Sequence, residues 1–137
     1  MDNNFQLFAA DGFEKTCPVL SLAYIGDAVI ELLAREYVLR KSGEVKPGGL
    51  VRASKAFVTC EAQSDAAQRI QEMLTDDELA VYKRGRNAKT HFSPNHGEIV
   101  QYRRATGLEA LFGHLYVSGE SDRAKELFAA AFGCKAE

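Results

Sequence analysis

Nowhere does the chain carry an apolar run long enough to cross a bilayer, which excludes a membrane-spanning helix. Its start, Met1-Asp2-Asn3-Asn4, lacks the basic opening of a secretory signal, and a cytoplasmic location is expected. Cysteine is scarce: Cys17, Cys60 and Cys134 are odd in number and far apart, with neither a CxxC pair nor a zinc pattern. They are expected to be reduced, mostly buried thiols. Strand-type alternation, internal repeats and low-complexity tracts are missing as well. His91, His96 and His114 lack the spacing of a metal-binding helix; the first two are expected to face a polyanion or solvent and the third to pack. No serine or cysteine carries a nucleophile signature. What is left is a chain of 137 residues, 46% hydrophobic, enough for one all-α domain of five to seven helices around one core.

A short arm, residues 1–17, precedes that domain, which is assigned to residues 18–135. Phe5, Leu7, Phe8 and Phe13 are placed to anchor the arm to the core. A first helix runs from between Pro18 and Leu22 to Lys41, and Gly43 and Pro47-Gly48-Gly49 end it. A second runs from Leu50 to Met73, its apolar stripe carrying Val51, Phe57, Ala62, Ala66, Ile70 and Met73. Thr75-Asp76-Asp77-Glu78 is a capping box that opens a third helix, ending near Gly85. Arg84 to His91 has no apolar period and reads as a basic loop. Pro94 or Asn95 starts a fourth helix, which extends to Val117, and Ser121 caps a last one that stops at Gly133.

The net charge of −2 conceals an asymmetry. Between Lys83 and Arg104 six cations face one acid, Glu98, so this stretch is +5 and the rest of the chain −7. A basic cluster on an acidic protein marks a defined polyanion site.

Two acids stand out. Asp27 lies inside Leu20–Leu33, a helix apolar nearly all round and therefore expected to be buried. Glu109 lies in a second such run, Tyr102–Gly113. A buried unpaired carboxylate costs several kcal/mol, roughly, without a cation or hydrogen bonds. Gly26 and Gly107 would let the two helices approach closely. Two readings stay open: the carboxylates share a metal, or they are structural, Asp27 paired with Arg35 or Arg104 and Glu109 partly exposed. Glu31, one turn past Asp27, is a further ligand or pairs with Arg35 at i+4. Magnesium is often held by one or two carboxylates together with water and phosphate oxygens, and such a site activates water against a phosphodiester. Metal, acids and a cationic segment together describe a nuclease better than any other hydrolase.

At these positions the sequence resembles the ribonuclease III family. Ala23-Tyr24-Ile25-Gly26-Asp27-Ala28-Val29 is similar to its signature helix, and Thr106-Gly107-Leu108-Glu109-Ala110-Leu111-Phe112-Gly113 to its second acidic motif, in the same order and at a fitting separation. The resemblance runs from about Val19 to Phe132. Tyr82-Lys83-Arg84-Gly85-Arg86-Asn87-Ala88-Lys89 and Tyr102-Arg103-Arg104-Ala105-Thr106-Gly107 resemble the short bacterial branch, Mini-ribonuclease III, which has a nuclease domain and no double-stranded-RNA-binding domain. Leu20, Ala23 and Thr106 stand where a full-length ribonuclease III has further acids, so only Asp27 and Glu109 carry over as catalytic metal ligands.

The resemblance implies a magnesium-dependent endoribonuclease, with manganese able to substitute, that cleaves double-stranded RNA. It also implies a homodimer paired across the signature helices with Tyr24 at the seam. Large-subunit (23S) ribosomal RNA precursor would be the substrate and a large-subunit ribosomal protein a helper. Without a separate RNA-binding domain, Lys83, Arg84, Arg86, Asn87 and Lys89 become the preferred RNA contacts, with Arg103 and Arg104 weaker candidates. The rival readings are an inactive RNA-binding dimer of the same fold, an all-α metal-dependent nucleotide phosphohydrolase, and a helical interaction module. Retention of both acids argues against the first and third, and the long basic segment argues for a polymer over a free nucleotide.

Overall fold

Six α-helices, and no strand, make up the described part of the chain, which in this computed structural model comprises residues 5–43, 46–89 and 96–134. They are α1 (Val19–Lys41), α2 (Pro47–Val58), α3 (Cys60–Ile70), α4 (Asp76–Asn87), α5 (His96–Val117) and α6 (Ser121–Phe132), with single 3-10 turns at Phe13–Lys15 and Gln71–Met73. The all-α reading holds. Pro18 immediately precedes α1, and α6 ends at Gly133 in the left-handed conformation that glycine adopts without strain.

Helix α5 is the axis of the molecule. Its Leu108, Ala110, Leu111, Phe112 and Leu115 are fully buried, so it is apolar around most of its girth and packs against α1, α3, α4 and α6. Two glycines on different faces make this possible. Gly113 lies against the Leu22 carbonyl of α1, and Gly26 of α1 lies against the Glu109 carbonyl of α5; a Cβ at either position would collide with that backbone oxygen. The pairing of 22 with 113 and 26 with 109 means that α1 and α5 run antiparallel. Gly107, expected to serve this contact, instead faces α4, where a Cβ would come within 2.8 Å of the Tyr82 ring. Its partner is Gly85, whose Cβ would stand 3.0 Å from the Gly107 Cα and 2.8 Å from the Ala110 Cβ. The close approach at Gly26 is as expected, but its opposite number is Gly113.

Four further expectations change. The helix expected over Leu50–Met73 is broken at Thr59, whose ψ of 154° leaves the helical region while its hydroxyl accepts from the Ala62 amide to cap α3. Val51 and Met73, expected inward, are exposed; Phe57 does pack, stacked on Phe128 at 5.9 Å and tilted against Phe132 at 5.4 Å. The capping box at Thr75 forms as expected, with Glu78 N–H donating to the Thr75 hydroxyl at 3.2 Å and Thr75 N–H to the Glu78 carboxylate at 2.9 Å. It launches a longer helix than expected: α4 continues through Arg84, Gly85 and Arg86 to Asn87, so the first part of the presumed basic loop is helical. At the start of α6, Ser121 is already helical and no side chain caps the end.

The N-terminal arm does not insert its apolar side chains. Phe5, Leu7, Phe8 and Phe13 are exposed, and Glu14 is the buried residue of this segment. Polar contacts hold the arm in place: the Gln6 side-chain amide donates to the Tyr116 carbonyl, and Gly119 lies beside Ala10. The thiols are free, but Cys60 is exposed and Cys17 and Cys134 are only half-buried.

Candidate active site

Helices α1, α4 and α5 meet in a small apolar cluster of Ala23, Val81 and Ala110. Asp27 sits one turn beyond Ala23 and Glu109 directly precedes Ala110, so this cluster is the floor on which the two acids are set. Three small or branched residues keep the helices close, and the Gly26 contact with the Glu109 backbone fixes the register between the acids' helices.

Asp27 is exposed and Glu109 half-buried, which overturns the expectation of two buried acids. The reason is that α1 is buried along one side only: Leu22, Gly26, Ile30 and Ala34 face inward, while Leu20, Tyr24, Leu32 and Leu39 face out. The acids nevertheless meet. Burial first, then the charge of Asp27 and a hydrogen bond shared with it, push the Glu109 carboxyl up from 4.5 to about 8. Among the described residues neither acid has an ion-pair partner. Arg35 donates to Glu31 at 2.5 Å, one turn away, and no ion pair joins Arg104 to Asp27 among the described residues.

Two adjacent carboxylates that repel one another are a ready binding site for a hard divalent cation, which would remove that repulsion and take oxygen ligands. Among the described residues no group of three or more His, Cys, Asp or Glu side chains encloses a metal. The donor set therefore fits an ion that retains much of its water shell, as magnesium does. Cys60, at the start of α3, is a neighbour that the sequence did not single out. Desolvation of its sulfur and then the Glu109 charge push its thiol above its ordinary value. Only the break at Thr59, a capping residue hidden in a helical pattern, could have pointed to it.

The cationic segment lies on the adjoining helix. Through the Gly85–Gly107 contact the last turns of α4 stack on α5 one turn from Glu109. Lys83, Arg84 and Asn87 are exposed there, as is Lys89 just beyond the helix end. Arg86 is half-buried, lies 5.8 Å from the Tyr82 ring centroid and donates to the Asn87 side chain at 3.2 Å, so part of its role is to fasten α4. Burial pushes the Tyr82 hydroxyl up, against the opposing pull of the Arg86 and Arg104 charges. Cations at the C-terminal end of α4 also suit the helix dipole. His91 and the expected helix start at Pro94 or Asn95 lie outside the described residues. His114 does pack, with its Nδ1 buried and unpartnered.

An all-helical domain that sets two uncompensated acids beside a cationic helix end has the layout of a phosphodiester hydrolase. Residues 20–120 match the ribonuclease III domain family. The chain is 41% identical over 110 residues to the Mini-ribonuclease 3 of Enterococcus faecalis, covering 79% of this chain and 83% of that protein. It is 40% identical over 116 residues to the Mini-ribonuclease 3 of Symbiobacterium thermophilum, covering 85% and 88%. Among solved structures, a protein of Fusobacterium nucleatum superposes with a TM-score of 0.71 at 31% identity, covering 80% of this chain and 87% of that one. The chain belongs to the ribonuclease III family, a family of endoribonucleases. No helix among the described residues is long and apolar enough to cross a membrane.

Proposed function

We propose that the protein is a magnesium-dependent endoribonuclease that cleaves double-stranded RNA as a homodimer, with large-subunit ribosomal RNA precursor as its substrate. The observation that carries this reading is the meeting of Asp27 and Glu109, neither of them ion-paired to a Lys or Arg among the described residues. Manganese, which also takes oxygen ligands, would substitute for magnesium. Asp27 and Glu109 would hold the ion, which when bound lowers the pKa of a coordinated water and offsets charge developing on the phosphate.

The chain's own groups do the rest. To serve as a ligand Glu109 would have to give up its proton, so its raised pKa would make metal uptake depend on pH. Lys83, Arg84 and Lys89 bear on the duplex backbone, where point charges hold phosphates without reading sequence. Asn87 adds a neutral donor, while Arg86, tied to Tyr82, keeps the helix end in place. Arg103 is exposed and Arg104 half-buried on α5, and they extend the same cationic surface. The exposed apolar face of α1, with Tyr24 at 84% exposure, is the surface by which two copies would pair so that each site cuts one strand. Trimming of ribosomal precursor with help from a large-subunit ribosomal protein follows from the family resemblance, as does action in the cytoplasm.

Purified protein incubated with a perfect RNA duplex should cleave it with magnesium and not with EDTA. Asp27→Asn and Glu109→Gln should each abolish cleavage while leaving duplex binding intact. Wild-type rates in either variant would remove that residue from the site; cleavage of free nucleotides in preference to duplex would favour the phosphohydrolase reading.

A further inference from the structure

Six of the eleven large apolar side chains exposed among the described residues fall between residues 5 and 24: Phe5, Leu7, Phe8, Phe13, Leu20 and Tyr24. They also gather at one end of the molecule. The arm is held across the C-terminal end of α5 through Gln6 and Tyr116 and beside Gly119. Because α1 and α5 are antiparallel, that end adjoins the start of α1, where Leu20 and Tyr24 emerge. Monomeric proteins seldom leave so many large apolar groups together in water.

Along α1, at about 100° per residue, Leu20, Tyr24, Ala28, Leu32 and Leu39 fall within roughly a third of the circumference, with the Glu31–Arg35 ion pair lying among them. A two-fold axis crossing this face sets two copies of α1 antiparallel, each presenting the same patch. One register puts apolar on apolar throughout. With the axis at Gly26, Leu20 meets Leu32 of the second copy and Tyr24 meets Ala28. With the axis at Ala28, Tyr24 meets Leu32 but Leu20 meets Glu36, and a register further along sets Tyr24 against Arg35 and Leu32 against Asp27, facing a charge in each case. In the first register Leu39 of one copy projects past the start of the other copy's helix at Val19, opposite its Phe13. Nothing on α1 reaches it there; only the arm does.

We infer that the N-terminal arm is a dimer clasp: Phe8 and Phe13, with Phe5 and Leu7 behind them, close over Leu39 of a second copy of this chain. The inference rests on the α1 pairing of the proposed function. The area involved supports it. The four large side chains of α1 would bury roughly 500–600 Å² at best, whereas a stable interface buries about 800 Å² per partner. Two or three arm aromatics make up the difference. The composition of the arm argues for protein over RNA: residues 5–17 contain Asp11 and Glu14 against a single cation, Lys15, so the arm offers no net attraction to a polyanion.

Sedimentation over a concentration series, together with photo-crosslinking, tests the clasp. The triple variant Phe5→Ser, Leu7→Ser, Phe8→Ser alters only exposed side chains, so its circular dichroism should match the parent, and so should its melting at dilutions where both are monomeric. Its dimer dissociation constant should rise about 10- to 100-fold, the equivalent of about 1.4–2.8 kcal/mol. Phe8→p-benzoylphenylalanine, mixed with an unmodified copy of different mass, should crosslink to residues 32–40 of that other copy. An unchanged dissociation constant, or crosslinks confined to the photoreactive chain or to added RNA duplex, would overturn the clasp. Tyr24→Asp separates the two ideas: a dimer that survives it refutes the α1 pairing, whereas a dimer lost with Tyr24→Asp but indifferent to the arm variant refutes the clasp alone. A parent that stays monomeric throughout refutes both.

Discussion

Two carboxylates in this fold have opposite fates. Glu78 is 4% exposed, yet its needs are met: Arg123 donates to both of its oxygens at 2.9 Å, and the Thr75 amide donates to one of them. Burial alone would raise its pKa, but the Arg123 hydrogen bonds, followed by those of Thr75, outweigh that and hold the carboxyl below its ordinary value. Arg123 also reaches the Met73 carbonyl at 2.8 Å and pairs with Glu126, so one guanidinium ties the starts of α4 and α6 together. Glu109 is less buried and far less satisfied. It faces another acid and sits at about 8. An acid that the protein neutralises itself stabilises the fold; one left facing a like charge does not. That contrast, more than burial, separates a structural acid from a functional one.

The sharpest way to break the comparison is to exchange the readouts. Glu109→Gln should lose cleavage by on the order of 100- to 1,000-fold and melt no lower than the parent. Glu78→Gln should cleave at the parent rate per folded molecule and melt lower. A stable, inactive Glu78 variant would reverse the two roles.

Gly26→Ala tests whether the acids depend on helix approach. A methyl group there meets the Glu109 carbonyl, and helices forced apart should cost about 3 kcal/mol, read from the urea midpoint. Cleavage should fall further than the loss of folded protein explains, because Asp27 is displaced from Glu109. Gly48→Ala, where a Cβ meets nothing, is the matched control.

Arg123→Ala leaves Glu78 buried and only partly bonded and should cost about 2–3 kcal/mol, again read from the urea midpoint.

pH separates the acids by sign. Glu109 is raised above its unfolded value of 4.5, so its stabilising contribution is complete below that pH and is lost as pH climbs through about 8. In EDTA the parent should therefore lose stability across that window, Glu109→Gln should not, and the variant should be about 2 kcal/mol the more stable at the upper end. Magnesium should remove the difference for the parent and release protons on binding. Glu78 is lowered, so its contribution holds above its unfolded value and disappears as pH falls through the folded one. Melting curves against pH, with and without magnesium, check both.

The smallest effect belongs to the cationic helix end. Neutralising Lys83 and Arg84 should reduce the slope of log binding constant against log salt by about 2, with Arg86→Gln adding less because its guanidinium is engaged with Tyr82. An unchanged slope would take this surface out of the RNA site.

Much of this was legible from residue order alone. The capping box at Thr75 is a local pattern, and its hydrogen bonds depend on four consecutive residues, so it formed as read. The stop at Gly133 and the Glu31–Arg35 pair are likewise set by spacing along one helix. The helix break at Thr59 was not legible, because flanking residues with helical periodicity mask a single capping side chain. Nor was the partner of Gly26: α5 carries glycines at 107 and 113, and the sequence pointed to 107, whereas the antiparallel register assigns 113 to α1 and 107 to α4.

By itself, then, the sequence determined the helical class, the capping box at Thr75, the stop at Gly133, and the two acidic motifs with their family. Each follows from neighbours within a turn or two, or from the identity of a few residues in order. Tertiary structure decided which side of α1 is buried, that Asp27 lies exposed rather than enclosed, that Glu109 faces it without a cation, and that Cys60 and the end of α4 stand close by. These depend on how four helices pack around α5. An apolar pattern states how much surface a helix must bury, but where that surface meets another helix is decided by the packing itself, here by glycines that admit a backbone where any other residue would hold it off.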